Sequence, residues 1–369
     1  MKYFIIAGEA SGDLHGSNLV RELKKQNPTV ECYGFGGDLM QKAGMKLSIH
    51  YRELAVMGFI DVIKKIFSIA KHIAFCKKEI QRVQAGAIIF IDFSGFNLRI
   101  AKWAKEQGYS THYYIAPQVW ASRSKRVKKI KAYIDHLYIT LPFEVDFYKK
   151  HGIEAQFVGH PLIDALNAQP ILDATAFRTK HLLPKDKELI ALLPGSRRSE
   201  VTKILSSMLT VVDHFKEYHF ALAMAPSLEL DLYKELTKNT RVSLIENDTY
   251  SLLNVSRAAL VTSGTATLET ALLKVPQIVC YKTQGLTYWI AKQIIKLPYI
   301  SLVNIILKEE AVPELIQGNL TTKKLKSALS HILMDVNTQK QLDAYQKLEQ
   351  LLGKGGASRK VAAALLKNS

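Results

Sequence analysis

Residues able to do chemistry gather in turns that follow apolar runs. Leu189 to Leu193 is wholly apolar and leads into Pro194-Gly195-Ser196-Arg197-Arg198, as a strand covered on both faces would. A glycine turn entering a helix leaves backbone N–H groups without partners, and these attract an anion. Arg197 and Arg198 add two cations at that mouth. Ala259 to Thr262 runs in the same way into Ser263-Gly264-Thr265, and Glu269 lies one helical turn beyond Thr265 on the same face. Two helix N-termini, cations and a carboxylate suit a nucleotide-sugar diphosphate, with phosphate at the helix mouths and neighbouring sugar hydroxyls on the carboxylate. The plainer role for Glu269 is partner to a helix dipole.

A second group is acidic. Asp92 ends the run Ala87 to Ile91 and is followed by Ser94-Gly95-Phe96-Asn97, while Glu9 and Asp13 follow the run Lys2 to Ala7. Ligands of parallel sheets bind beyond the carboxyl ends of the strands. Asp92, Glu9 and Asn97 are therefore expected at one crevice, where a partly desolvated acid can act as general base. Asp92 is the first candidate and Glu9 the reserve. Capping is the structural alternative, of its own turn for Asp92 and of a helix for Asp13. His160, in Val158-Gly159-His160-Pro161, reads as a ligand contact or as a turn histidine held by backbone.

These turns need a scaffold that aligns strand ends. Strands are expected at 2–7, 30–37, 87–92, 110–115 and 136–140, then at 189–193, 219–224, 241–245, 258–262 and 276–281, mostly with helical patterns between them. The alternation predicts an α/β protein with two doubly wound sheets, and 369 residues exceed one core. Residues 163–187 read as the connection between halves, and the pattern from Thr321 onward is helical, broken at Gly353-Lys354-Gly355-Gly356. The turn after Ala7 has neither G-x-G-x-x-G spacing nor a Gly-Lys-Ser/Thr, so a dinucleotide or Walker-type triphosphate site is not expected.

Fifty Lys and Arg against 33 Asp and Glu give a net charge of +17, which concentrates anionic partners. No nucleic-acid motif accompanies the charge, so no nucleic-acid partner is expected. Cys32, Cys76 and Cys280 are distant and odd in number, which argues for a reducing compartment. The opening residues lack a signal-peptide pattern, and nowhere do about 18 apolar residues run without charge. Residues 62–75 alternate large apolar residues with lysines at helical spacing. On the residues alone this is a core-facing amphipathic helix before it is an interfacial one. Arg123 to Lys131 holds six basic residues in nine: a solvated helix face, or a site for phosphate or anionic lipid.

Eight motifs carry a family resemblance, in order: Ala7-Gly8-Glu9-Ala10-Ser11-Gly12-Asp13, Ala55-Val56-Met57-Gly58-Phe59, Ile91-Asp92 with Gly95-Phe96-Asn97, Pro117-Gln118-Val119-Trp120-Ala121, Leu141-Pro142-Phe143-Glu144, Val158-Gly159-His160-Pro161, Leu192-Leu193-Pro194-Gly195-Ser196-Arg197 and Ser263-Gly264-Thr265-Ala266-Thr267-Leu268-Glu269. They span nearly the whole chain and resemble the series of the lipid-A-disaccharide synthases. The resemblance implies two facing Rossmann-like domains of the glycosyltransferase B type. Residues 1–165 would take the acceptor and face the membrane, residues 166–343 would bind the UDP-sugar, and helices in 344–369 would return to the first domain. The implied reaction transfers 2,3-diacylglucosamine from UDP to the 6-hydroxyl of 2,3-diacylglucosamine 1-phosphate with inversion, without cofactor or metal.

Residue by residue, the resemblance implies Asp92 or Glu9 as base, with Gly195, Ser196, Arg197, Ser263, Gly264, Thr265, Glu269 and Asn304 on the nucleotide sugar. Ser11, Asn97, Gln118 and Arg123 would hold the acceptor. Met57, Phe59, Ile63, Ile66 and Phe67 would touch the membrane, which turns the reading of that helix from core to interface. Expected partners are UDP-diacylglucosamine, diacylglucosamine 1-phosphate and the inner-membrane surface, bound peripherally from the cytoplasm, and the sequence leaves a homo-oligomer open. Ser94, Ser122 and Val303 depart from the family, whose members commonly have Pro, Trp and Pro there. Two other readings are a UDP-N-acetylglucosamine 2-epimerase, which shares the architecture, and a non-catalytic basic adaptor for membrane or RNA.

Overall fold

The computed structural model of the chain describes residues 1–55, 62–122, 125–168, 171–283 and 298–368. They form two units, Met1–Ala165 with Leu352–Ser369, and Leu166–Leu351. Residue 344, where the returning segment is expected to start, lies inside the helix Asp335–Leu352. The final helix, Ala357–Lys367, belongs to the first unit.

In the first unit, β1 (Lys2–Ala7), β2 (Glu31–Gly36), β3 (Lys46–His50), β4 (Ala87–Ile91), β5 (Ser110–Tyr114), β6 (His136–Ile139) and β7 (Ala155–Phe157) form a parallel sheet in the order 3-2-1-4-5-6-7. Alternate side chains leave opposite faces, and the core divides accordingly. Phe4, Ile6, Ile88 and Phe90 pack under helices through Cys76, Ile80, Leu98 and Ile100. Tyr3, Ile5, Ile89 and Ile91 pack on the other face with Leu19, Val20 and Leu23. The last helix completes that second face, since Ala357, Val361, Ala362 and Leu365 are fully buried there.

Its return is held by polar contacts. Asp164 accepts from the backbone N–H groups of Gly356 and Ser358, and His160 N–H donates to the Leu352 carbonyl at 3.2 Å.

The second unit has β8 (Leu189–Leu193), β9 (His219–Met224), β10 (Val242–Glu246), β11 (Ser256–Thr262), β12 (Gln277–Tyr281) and β13 (Glu314–Ile316), all parallel, in the order 10-9-8-11-12-13. Ile190, Leu192, Leu222 and Leu260 face the helices Arg198–Leu209 and Thr322–Ile332. Leu189, Ala191, Ala221 and Val261 face Phe177, Leu252 and Leu253.

Strands β3, β7 and β13 lie outside the strands expected from sequence. Each is an edge strand of three to five residues with little full burial, so none carries a continuous apolar run. The three cysteines are free and buried, one in each of three core clusters.

Candidate active site

In the second unit the strand order reverses between β8 and β11, which pair through Leu193↔Val261 near their carboxyl ends. The turns after both strands therefore open side by side at the switch point, where doubly wound sheets take ligands. Gly195 has φ +115° and Gly264 φ +149°, backbone that side chains rarely adopt. A Cβ added at Gly264 would meet nothing within 4 Å, so conformation alone calls for glycine there. Beyond the turns start the helices Arg198–Leu209 and Thr265–Leu272.

A cleft of about 450 Å³ results, lined by Gly195, Ser196, Arg197, Glu200, Thr249, Ser263, Gly264, Thr265 and Glu269. Its size suits a small molecule. Seven of the eight residues expected on the nucleotide sugar are brought together here. The first-turn N–H groups of Thr265 and Ala266 have no partner within their helix. Arg197 Nη1 donates to Glu200 Oε1 at 2.7 Å while its side chain is 80% exposed. Such an exposed pair is weak, so an arriving anion can compete for the guanidinium. Glu269 Oε1 accepts from Tyr250 Oη at 2.9 Å. Burial holds the Glu269 carboxyl above its ordinary range, and the Tyr250 hydrogen bond opposes that rise.

The first unit repeats the geometry. Its order reverses between β1 and β4, which pair through Ala7↔Ile91, so Gly8-Glu9 and Asp92-Phe93 leave adjacent strand ends. Asp92 and Phe93 have φ +47° and +43°, two successive left-handed residues without a glycine, costing on the order of 1–3 kcal/mol each. Neighbours hold them there. The Asp92 carbonyl accepts from Tyr113 Oη at 2.6 Å and from Asn97 Nδ2 at 2.8 Å, and the Phe93 ring stacks on Phe96. Burial raises the Asp92 carboxyl above its ordinary range, with the Phe93 N–H acting in the opposite sense. Strain of this kind, maintained by its surroundings, is frequent at reacting centres. Glu9 is exposed just before the helix Ala10–Gln26, Ser11 is exposed in its first turn, and Gln118 is exposed beyond β5.

Other expected residues serve the fold. Asn97 is fully buried and spends its amide on the carbonyls of Ile91 and Asp92. It shapes the Asp92 turn and offers no surface to an acceptor. Asn304 is also fully buried, donating to Val312 O and Glu314 Oε1 and accepting from Val312 N. It does not line the cleft, because those contacts fix the segment before β13. Asp13 accepts from the N–H groups of Gly37, Leu39 and Met40 at 2.8, 3.1 and 2.9 Å, capping the helix Asp38–Lys42 instead of its own. His160 accepts from Leu162 N–H through Nδ1, and burial pushes it down to about 4, so it is a neutral turn histidine.

Arg123, Met57 and Phe59 lie outside the described residues. Ile63, Ile66 and Phe67 fall in the helix Val62–Val83, and their side chains also lie outside them.

The family model described as Lipid-A-disaccharide synthetase matches residues 3–366. The chain belongs to the lipid-A-disaccharide synthetase family. Curated relatives agree. The lipid-A-disaccharide synthase of Geobacter metallireducens is 37% identical over 372 residues, covering 99% of this chain and 96% of that protein. That of Syntrophus aciditrophicus is 38% identical over 370 residues, covering 98% and 96%. Among solved structures, UDP-GlcNAc 2-epimerase from Neisseria meningitidis bound to UDP-GlcNAc superposes with a TM-score of 0.71 at 13% identity, over the whole of both chains. The calicheamicin glycosyltransferase CalG4 gives 0.56 at 14% identity, over 99% of this chain and 98% of that one. At these identities the structural likeness concerns the fold alone, which is that of the B-type glycosyltransferases and the epimerases.

Membership of the lipid-A-disaccharide synthetase family makes the chain a glycosyltransferase, and the epimerase is a likeness of fold. Two polar residues of the cleft region escape a reading of the sequence. Glu200 is marked there only by standing three residues after Arg197. Tyr250 follows Asn247-Asp248-Thr249, a polar turn at the start of a short helix, which signals a cap and no more.

Proposed function

We propose that this glycosyltransferase moves a 2,3-diacylglucosaminyl group from UDP to the 6-hydroxyl of 2,3-diacylglucosamine 1-phosphate, inverting the anomeric carbon. The products are the β-1,6-linked tetraacyl disaccharide 1-phosphate and UDP. The observation that carries the reading is the second-unit cleft, where two helix mouths, Arg197 and Glu269 converge at the switch point.

The reaction is a single displacement. Asp92 accepts the proton of the 6-hydroxyl as that oxygen bonds to the anomeric carbon and the bond to the diphosphate breaks. A desolvated carboxylate is a stronger base than a hydrated one. Charge gathers on the departing diphosphate, and Arg197 with the N–H groups of the two turns stabilises it as it forms. Glu269 accepts the ribose hydroxyls. Ser11, Gln118 and Arg123 meet the acceptor.

Acylated substrates reside in a bilayer. Among the described residues no helix is long and apolar enough to cross one, and the reading is peripheral binding at the cytoplasmic face of the inner membrane. Met57, Phe59, Ile63, Ile66 and Phe67 would enter the interface, and the basic helix Lys125–Tyr133 would add attraction to anionic lipid. Reversing the charge of the exposed Lys128 and Lys129 should weaken sedimentation with anionic vesicles at low salt; unchanged binding would count against this face.

The deciding assay is UDP release from UDP-2,3-diacylglucosamine, with and without the acceptor, in detergent and EDTA. Release that depends on acceptor and collapses in Asp92→Asn supports the mechanism. An active Asp92→Asn moves the base to Glu9, and no acceptor-dependent release removes this donor and acceptor pair.

A further inference from the structure

The carboxylate of Glu269 stands between two cavities. It lines the cleft of the helix mouths and also a neighbouring one of about 330 Å³, whose wall carries Asn247, Thr249 and Tyr250. Among the described residues its one hydrogen-bond donor is Tyr250, with Oη 2.9 Å from Oε1. Burial raises the Tyr250 phenol and the adjacent Glu269 charge raises it further, so the hydroxyl keeps its proton and donates. A carboxylate has about four acceptor positions. The single donor is on Oε1, so the other oxygen of this half-buried group stays open to a ligand in the cleft.

We infer that Tyr250 is a positioning residue for the ribose: by occupying Oε1 it fixes the rotamer of Glu269 and leaves the other oxygen to a vicinal diol. The inference rests on the UDP-sugar reading of the cleft. With the rotamer set beforehand, its ordering entropy is not lost on binding. The start of the helix Thr249–Asn254, which carries Tyr250, is anchored without this bond. Asp248 Oδ2 lies 2.8 Å from Lys180 Nζ and 3.0 Å from His181 Nε2, and Ser251 Oγ accepts from Leu172 N–H at 3.1 Å. Tyr250→Phe therefore removes the donor and keeps the helix start.

Calorimetric titration of the full chain with UDP and with 2′,3′-dideoxy-UDP tests this. The unaltered chain should bind UDP about tenfold more tightly than the dideoxy compound, the effect of leaving buried polar groups unpaired. Tyr250→Phe should cut that ratio to roughly threefold through loss of one charge-assisted hydrogen bond, with affinity for the dideoxy compound unchanged. It should also move upward the pH below which UDP binding weakens, since Glu269 loses the donor that favours its charged form. Glu269→Gln should abolish the ratio, and adding Tyr250→Phe to it should change nothing more. A Tyr250→Phe chain with the full ratio and an unmoved pH profile overturns the inference and leaves the cleft reading standing. Absence of UDP binding by the unaltered chain overturns both, and equal binding of the two nucleotides removes Glu269 from the ribose.

Discussion

Trp120 Nε1 donates to Glu144 Oε1 at 3.1 Å, joining the helix Val119–Ser122 to the helix Glu144–Lys150 through a residue that is only 3% exposed. The other oxygen accepts from Leu141 N–H at 3.1 Å, and the Trp120 ring meets Phe143 edge-on at 4.9 Å. Burial pushes the Glu144 carboxyl up to about 7, against the pull of the Leu141 and Trp120 hydrogen bonds. Its folded value thus lies above its unfolded one, so its stabilising contribution is complete below the unfolded value of 4.5 and is lost as pH rises through about 7. Urea unfolding at about pH 5 and about pH 8 should show a loss on the order of 3 kcal/mol from this group. Glu144→Gln should flatten that part of the profile, and an unchanged slope would refute the assignment.

Asp13 is a cap and not a ligand contact. Asp13→Ala strands the N–H groups of Gly37, Leu39 and Met40, and should destabilise the first unit by about 2–4 kcal/mol in chemical denaturation. UDP binding in the second unit should be untouched, and a loss of UDP affinity in the folded variant would contradict the capping role.

Gly8 is required by a neighbour. A Cβ there would lie 2.3 Å from the Phe93 ring, and Phe93 shares the strained turn with Asp92. Gly8→Ala should therefore displace Asp92 and reduce turnover by about 100-fold, within the range general-base catalysis supplies. Phe93→Ala in the same chain should recover part of that loss. A double variant no better than Gly8→Ala would place the cause elsewhere.

Arg197 should matter for rate and hardly for stability. Its side chain is 80% exposed, and its ion pair with Glu200 is open to water. Arg197→Ala should lower kcat by about 100-fold, as loss of one charge-stabilising donor does, with a thermal midpoint close to that of the unaltered chain. Arg197→Lys should restore part of the rate, since a point charge replaces a forked donor. A variant with only KM raised would make Arg197 a ground-state contact.

The central strands can be read from sequence because burial on both faces leaves an uninterrupted apolar run, as in Ala87 to Ile91 and Leu189 to Leu193. The switch-point turns are legible for the same reason, since each begins where such a run stops. The short edge strands β3, β7 and β13 have no such mark. Glycine discloses the left-handed backbone at Gly195 and Gly264, but at Asp92 and Phe93 no glycine signals it. Amides are the main failure. Asn97 and Asn304 sit among apolar residues in the helices Ser94–Glu106 and Leu302–Leu307, and only their partners in space, Ile91 and Val312 among them, show that they tie backbone together. Asp13 likewise reaches across 24 to 27 residues to its cap, and Tyr250 across 19 to Glu269.

The interleaving of the two units sets an order of assembly. Residues 166–351 form a continuous unit, whereas the first unit lacks Val361, Ala362 and Leu365 until the last stretch of chain is made. A ribosome that has released the first 165 residues has presented every strand of the first sheet with one side still bare of its final helix. The middle unit can close while the first waits, so in newly made chains the apolar face that receives Val361, Ala362 and Leu365 stays open while the intervening unit is translated. Premature termination near residue 351 would thus leave an intact second-unit cleft attached to an unfinished, aggregation-prone partner.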